Sequence, residues 1–349
     1  MTQTMLAAVY HGPNDLRVEA VPVPVIGPGE VLVRVVSSSI CGTDLRILHG
    51  GHRKYPDGTV RIPGHEIVAD VVQVGDQVAG VHEGDRLFVA PNMGCGHCKQ
   101  CISGRNNLCA NYQAFGITID GSFAEYLRIP AAAVLQGNLM PLESGVGPSA
   151  AALIEPFACV LRGQNAVDIV VGDIVVVVGA GPIGLMHLML ARLRGAARVI
   201  VSEMIPERLN QALRFGADLA VTPDRLAESV ADVSHGEGAD VILVAAPAAR
   251  AQESAIDIAA IGGRINFFGG LPKERPTIEL NSNTVHYKEL ILTGTTACST
   301  NDCRQAAAII NSGRIDLLPL VSARFPLADA VEAFRVAENR ESLKIALQP

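Results

Sequence analysis

The run Asp173-Ile174-Val175-Val176-Val177-Val178 leads straight into Gly179-Ala180-Gly181-Pro182-Ile183-Gly184, and this junction restricts the possible folds more than any other stretch. A continuous β-branched run suits a parallel strand buried on both faces. The pattern G-x-G-x-x-G becomes specific only when it follows a strand and opens a helix, and the segment Pro182 to Arg194 reads as that helix. Gly179 permits the tight turn, Gly181 lets the backbone approach a pyrophosphate, and Gly184 allows close helix–strand packing. Pro182 and Ile183 fill the first helical turn, where a proline's missing N–H costs nothing. Nineteen residues past Gly184 stands Glu203, placed to accept from adenosine ribose hydroxyls. Its charge would repel a 2′-phosphate, which favours NAD over NADP. Arg208, just beyond, either tolerates NADP or faces solvent. The competing reading of the glycines is a βαβ turn that binds no nucleotide.

Around this junction strands and helices alternate. Arg198–Ser202, Asp240–Val244, Gly263–Phe268 and Glu289–Gly294 read as strands, and Glu207–Phe215 and Ala248–Ala260 as helices. The alternation predicts a doubly wound α/β domain. The preceding part differs in kind. Met5–Tyr10, Arg17–Val21, Glu30–Ser38, Glu66–Val74, Asp85–Val89 and Gly121–Ile129 read as strands between Gly/Pro-rich turns, which predicts a β-rich unit. After Gly294 come helices at Asp302–Ser312 and Ala328–Glu338 and a last strand at Ser342–Leu347, expected to return to the first domain.

Four cysteines, Cys95, Cys98, Cys101 and Cys109, lie in one glycine-bearing loop with spacing C-x2-C-x2-C-x7-C. Thiols this dense suit a four-sulfur zinc site, structural because no position stays open; an iron–sulfur cluster is the rival. His97 could replace one sulfur or lie in solvent. The 349 residues carry a net charge of −7 and no lysine or arginine cluster, which disfavours a nucleic-acid partner. No apolar run is long enough to span a membrane, and Met1–Tyr10 lacks the pattern of a signal peptide. A reducing cytoplasm is the expected compartment.

A further set can hold a metal with one position left open: Cys41 in Ile40-Cys41-Gly42-Thr43-Asp44, His65 and Glu66 in Pro63-Gly64-His65-Glu66, and Glu155 in Leu153-Ile154-Glu155-Pro156. With the cysteine loop, Gly121-Ser122-Phe123-Ala124-Glu125-Tyr126 and the glycine turn, these motifs make the chain resemble the zinc-dependent medium-chain alcohol dehydrogenase family over nearly its whole length. Glu155-Pro156 is similar to the sorbitol (polyol) and threonine dehydrogenase branch. The resemblance implies a GroES-like catalytic domain, residues 1–156 completed by 297–349, and an NAD-binding Rossmann domain, residues 157–296. It implies two zinc ions per chain, one catalytic and one structural, an alcohol or polyol substrate, and a homodimer or homotetramer. It makes Cys41, His65 and Glu66 the catalytic zinc ligands, with Glu155 a fourth ligand or an acid bonded to the metal-bound water. Thr43 matches the hydroxyl that passes the substrate proton outward, and Lys344 a basic residue that contacts the cofactor pyrophosphate or ends a strand in solvent.

The chain departs from the family in two places. Arg46 stands where relatives often carry a relay histidine, so water or His49 would finish the relay, and Arg46 would hold an anionic substrate group or a cofactor phosphate. After the last Rossmann strand, Thr295-Thr296-Ala297-Cys298-Ser299 replaces the Arg-Tyr pair of sorbitol dehydrogenases. A different polyol, a cyclitol or a phosphorylated sugar alcohol is therefore open. Phe115 either lines the substrate pocket or belongs to the core. The expected function is hydride transfer between a secondary alcohol and NAD. The alternatives are an amino-alcohol dehydrogenase of the threonine type or a family member without activity.

Overall fold

A computed structural model describes residues 3–339 and 342–349. The chain divides into two compact units, residues 1–158 with 298–349, and residues 159–297. The first crossing falls inside one helix, Ile154–Asn165, so no linker marks it in the sequence.

In the first unit the strand Val31–Ser39 is the hub. It pairs antiparallel with Ile67–Val74 on one side and, on the other, with Tyr126–Ile129 along its first half and Lys344–Gln348 at its end. The sheet continues through Arg86–Val89 to Leu139–Pro141 in one direction and to Val321–Pro326 in the other. A hairpin, Thr4–Gly12 with Asp15–Pro22, lies beside it, its turn made at Asn14 with φ 61°. Asparagine tolerates that left-handed backbone because its short side chain bonds locally. Among the described residues the apolar side chains form two main cores and a smaller cluster of Tyr10, Ile47, Tyr55, Ala114 and Ile117. One gathers Met5, Val9, Phe123, Phe334 and Leu347; the other gathers Val33, Ile67, Leu87, Phe115 and Ile129. Only Tyr126–Ile129 of the expected strand Gly121–Ile129 is a strand, because the backbone of Gly121 to Phe123 is spent on the turn before His65.

The second unit is a six-stranded parallel sheet in the order Leu219–Val221, Arg198–Ser202, Ile174–Val178, Ala239–Val244, Ala259–Phe267, Ile291–Gly294. The strand order reverses between Ile174–Val178 and Ala239–Val244, the switch point at which doubly wound sheets bind ligands. Valines 175 to 177 are fully buried, as a strand covered on both faces requires. The strand Leu219–Val221 and the helix Pro223–Val233 were not anticipated from sequence. The strand is three residues long and lies at the sheet edge, too short for periodicity to reveal. At the base of the sheet the Arg264 guanidinium bonds both Asp173 oxygens, at 2.8 and 2.9 Å, and the carbonyl of Val167. No helix of the described residues is long and apolar enough to cross a membrane.

Candidate active site

His65 is delivered by a turn that only glycine can make. Gly64 has φ +98°, and a Cβ there would lie 2.7 Å from Phe123 Cδ1 and 2.8 Å from Ser122 Oγ. The N–H groups of Ser122 and Phe123 bond the carbonyls of Gly64 and Pro63, so the Gly121-Ser122-Phe123 motif serves as a brace for the histidine. Cys41 sits immediately before the short helix Gly42–Leu48, and its N–H donates to Asp44 Oδ2 at 2.9 Å. The potential ligand atoms of Cys41, His65 and Glu66 lie within 4.8 Å of one another. Thr43, half-buried, is on the first turn of that helix.

Asp44 is a buried acid to which the sequence reading gives no role. Its Oδ1 lies 3.3 Å from His65 Nδ1, and both groups are buried. Burial disfavours a charged imidazole, but Asp44 and Cys41 outweigh it and hold the His65 pKa well above its ordinary value. A metal-binding histidine is commonly oriented in this way, one ring nitrogen toward a carboxylate and the other free for the ion. The motif C-G-T-D contained the signal, an acid three residues after Cys41.

Glu155 is buried, with Oε1 3.5 Å from Cys298 Sγ. Burial raises its pKa, His65 and Lys344 oppose the rise, and Glu66 adds to it. The group therefore lies within electrostatic reach of the Cys41–His65–Glu66 cluster.

The cysteine loop has the dimensions of a tetrahedral sulfur cage. Zinc–sulfur bonds of about 2.3 Å set neighbouring sulfurs about 3.8 Å apart. The observed separations are 4.0 Å for Cys95–Cys101, 3.5 Å for Cys98–Cys101 and 3.8 Å for Cys98–Cys109. Backbone N–H groups of His97 and Cys98 pull the Cys95 thiol down to about 6, whereas burial pushes Cys101 up to about 12. A cation at the centre of the four sulfurs would stabilise all of them as thiolates. His97 is exposed and its Nδ1 bonds the Cys95 carbonyl, which leaves the sulfurs as the nearest donors.

In the second unit, Gly179 has φ +103°, and a Cβ on Gly184 would lie 1.8 Å from the Gly179 carbonyl. The helix Pro182–Leu193 can start where it does only because Gly184 has no side chain. The space in front of Gly181 is open, as a phosphate approaching a helix N-terminus requires. Glu203 Oε2 accepts from the Ala180 N–H at 2.9 Å and Oε1 from the Met204 N–H at 2.7 Å, which fixes the carboxylate beside the turn.

Residues 27–141 match the alcohol dehydrogenase GroES-like domain, and residues 182–312 match the zinc-binding dehydrogenase family. An L-threonine 3-dehydrogenase of Rhizobium etli is 32% identical over 353 residues, 99% of each chain. This protein belongs to the zinc-dependent medium-chain alcohol dehydrogenases. A Sinorhizobium meliloti 1021 protein solved with NADP shares 31% identity and a TM-score of 0.91, over 99% of this chain and all of the other. An Escherichia coli CFT073 alcohol dehydrogenase solved with NADH shares 28% identity and a TM-score of 0.90, over 99% of each chain. The dehydrogenase is accordingly an NAD(P)-dependent enzyme with zinc as its metal, and its fold is a GroES-like domain with a Rossmann domain.

Several residues of the dehydrogenase are placed otherwise than the sequence suggests. Lys344 neither ends a strand in solvent nor offers a free ammonium to a pyrophosphate. It is buried, bonded to both oxygens of Glu66 at 2.5 and 2.6 Å and to the Ile40 carbonyl at 3.1 Å. Phe115 is fully buried in the second core. Arg208 does not point into solvent; its Nη1 lies 3.9 Å from Glu203 Oε2. His49 bonds Asn14 through Nδ1 at 2.7 Å and pairs with Glu338 through Nε2 at 2.7 Å, so both of its ring nitrogens have partners. Arg46 is exposed and acts on His52, whose pKa falls to about 4 through burial first and then the charges of Arg46 and Arg53. His65 and Asp44 also act on His52, so this imidazole lies within electrostatic reach of the Cys41–His65–Glu66 set, which the sequence spacing does not reveal.

Proposed function

We propose that this dehydrogenase oxidises a secondary alcohol of a polyol, cyclitol or sugar alcohol, and that it uses NAD in preference to NADP. The observation that carries the chemistry is the clustering of Cys41, His65 and Glu66 beside buried Asp44. In this reading Cys41 and His65 hold the catalytic zinc, and Cys95, Cys98, Cys101 and Cys109 hold the structural one. Bound there, zinc supplies the Lewis acidity that acidifies an alcohol, and NAD the acceptor for its hydride. Asp44 keeps the His65 ring oriented. The Thr43 hydroxyl takes the alcohol proton and passes it outward. Glu155 either joins the ligands or accepts from the metal-bound water. Gly179, Gly181, Pro182, Ile183 and Gly184 form the pyrophosphate turn, and Glu203 receives the ribose hydroxyls. Arg208, beside Glu203, partly offsets its charge, so the preference for NAD is expected to be moderate.

NADH formation at alkaline pH with polyols, phosphorylated polyols and L-threonine tests the substrate. Higher kcat/KM for a polyol supports the proposal. A clear preference for L-threonine replaces it with the second reading, which the relationship to the R. etli enzyme favours. We also propose a homodimer or homotetramer, because the edge strand Ile291–Gly294 leaves Ile291 52% exposed and one side unpaired. Light scattering on the eluted protein checks the mass, and a monomer would refute it.

A further inference from the structure

We propose that Asn106 is a positioning residue that couples the four-cysteine loop to Glu155, so that a metal held by the loop steadies the Cys41–His65 centre. The inference rests on the reading of both places as metal sites. The helix Thr300–Asn311 begins with N–H groups that its own turns cannot satisfy. Ser299 Oγ accepts one of them, from Asp302 at 3.1 Å. The Thr300 N–H instead donates to Asn106 Oδ1 at 3.0 Å, a cap supplied by the cysteine loop from 194 positions away. The Asn106 amide nitrogen donates to the Asn92 carbonyl at 2.9 Å and to Thr300 Oγ1 at 3.0 Å. Asn92, just before the loop, donates through Nδ2 to the Cys298 carbonyl at 2.9 Å, and the Cys298 thiol donates to Glu155 Oε1 at 3.5 Å.

Asn106 is joined to the sulfur cage as closely as to the helix. The Cys109 N–H donates to its carbonyl at 3.1 Å. A Cβ on Gly94 would overlap the Cys101 sulfur and stand 3.0 Å from Asn106 Cβ, so only bare backbone fits beside the two. Asn92, Asn106 and Thr300 are all buried, and a buried network whose members bond one another is held to one arrangement. Without a cation the four sulfurs have no common anchor, and the loop that carries Asn106 loosens. The cap on Thr300 and the contact of Asn92 to Cys298 loosen with it, and so does the thiol that orients Glu155. A clamp that served stability alone would end at the helix. This one continues through Cys298 to a carboxylate within electrostatic reach of His65. Contiguous hydrogen bonds between buried groups are a physical route by which one site biases another.

Cobalt(II) in the catalytic site, with zinc kept in the cysteine loop, reports on the coupling through its d–d bands and its rate of loss to a chelator. In Asn106→Ala the bands should shift and cobalt loss should accelerate about tenfold, while the loop keeps its zinc. Thr300→Val, which removes one partner of Asn106, should move both readouts the same way, and Thr300→Ser, which keeps the hydroxyl, should move neither. Cys101→Ser, once its loop zinc is lost, should reproduce the Asn106→Ala spectrum at the catalytic site. In Glu155→Gln the further change Asn106→Ala should alter cobalt loss by less than about twofold, because the path is already cut at its end. Losses that multiply in that double variant would overturn the proposal. So would an unaltered spectrum in Asn106→Ala or in zinc-depleted Cys101→Ser. If Asn106→Ala does not fold, Thr300→Val with and without Glu155→Gln decides between the same outcomes. Cys41→Ser serves as the control: if it keeps the thiolate-to-cobalt band, the catalytic metal assignment itself has failed, separately from the role of Asn106.

Discussion

Substituting alanine for Gly184 tests whether the glycine turn acts through geometry. The added Cβ would lie 1.8 Å from the carbonyl oxygen of Gly179, whereas real Cβ atoms stay at least 3.0 Å from such a neighbour. Helix and turn must therefore separate by more than about 1 Å, and neither partner is a flexible side chain that could yield. Overpacking of this sort costs about 1–3 kcal/mol of stability. The larger effect falls on the cofactor. The strand Ile174–Val178 is held on both sides by parallel neighbours, so the helix Pro182–Leu193 is the part that moves. Its N-terminal N–H groups then leave the place proposed for the pyrophosphate. A displacement of about 1 Å at a positioning group costs about 10²-fold in efficiency. The expected result is a KM for NAD raised by about two orders of magnitude, with the zinc content unchanged. Steady-state kinetics and NADH fluorescence titration measure it. Cofactor affinity within about threefold of the unsubstituted enzyme, in a folded protein, would refute the argument.

His187 lies fully buried on the same helix, with burial holding its pKa at about 3. The unfolded imidazole titrates near 6.5, so between those values the unfolded chain binds the extra proton, and stability falls as pH drops below about 6.5. At pH 5 this amounts to about 2 kcal/mol, and in His187→Leu that part of the acid loss should vanish in urea unfolding at pH 7.5 and 5. Equal pH dependence in both proteins would count against it. Cys101→Ser opens the sulfur cage, and elemental analysis should find about one zinc per chain in place of about two. An undiminished count would mean that the loop holds no metal. In Asp44→Asn the amide oxygen can still accept from the Cys41 N–H but loses its charge toward His65. Chelator competition should show metal bound about 10-fold to 100-fold more weakly. Unchanged affinity would remove Asp44 from the site.

The features legible in the sequence are those whose chemistry is local. The glycine turn follows its strand within one residue, and the cysteines lie in one loop, so spacing alone suggests their geometry. His65 and Cys41 carried recognisable neighbours. What escaped depends on contacts between distant parts of the chain. Lys344 meets Glu66 across 278 positions, and nothing around either residue announces the other. The segment Gly121 to Phe123 has the composition of a strand, but its N–H groups go to the turn before His65. Phe115 is apolar in either role, and only the second core decides between them. His49 and His52 are three positions apart, and only the fold shows which one feels the charges of His65 and Asp44.

The strand Lys344–Gln348 lies inside the seven-stranded sheet, flanked by Val321–Pro326 and Val31–Ser39. That arrangement sets a timetable for synthesis. Val31–Ser39 leaves the ribosome some 300 residues before its neighbour, a delay of roughly 15–60 s at ordinary elongation rates. Throughout that interval the end of the strand that receives Ala346 and Leu347 has no partner there, while residues 159–297 can complete their own sheet. The nascent chain thus carries a finished nucleotide-binding unit tethered to an open sheet. Slowed elongation late in the message should therefore raise aggregation more than slowing within the middle of the chain.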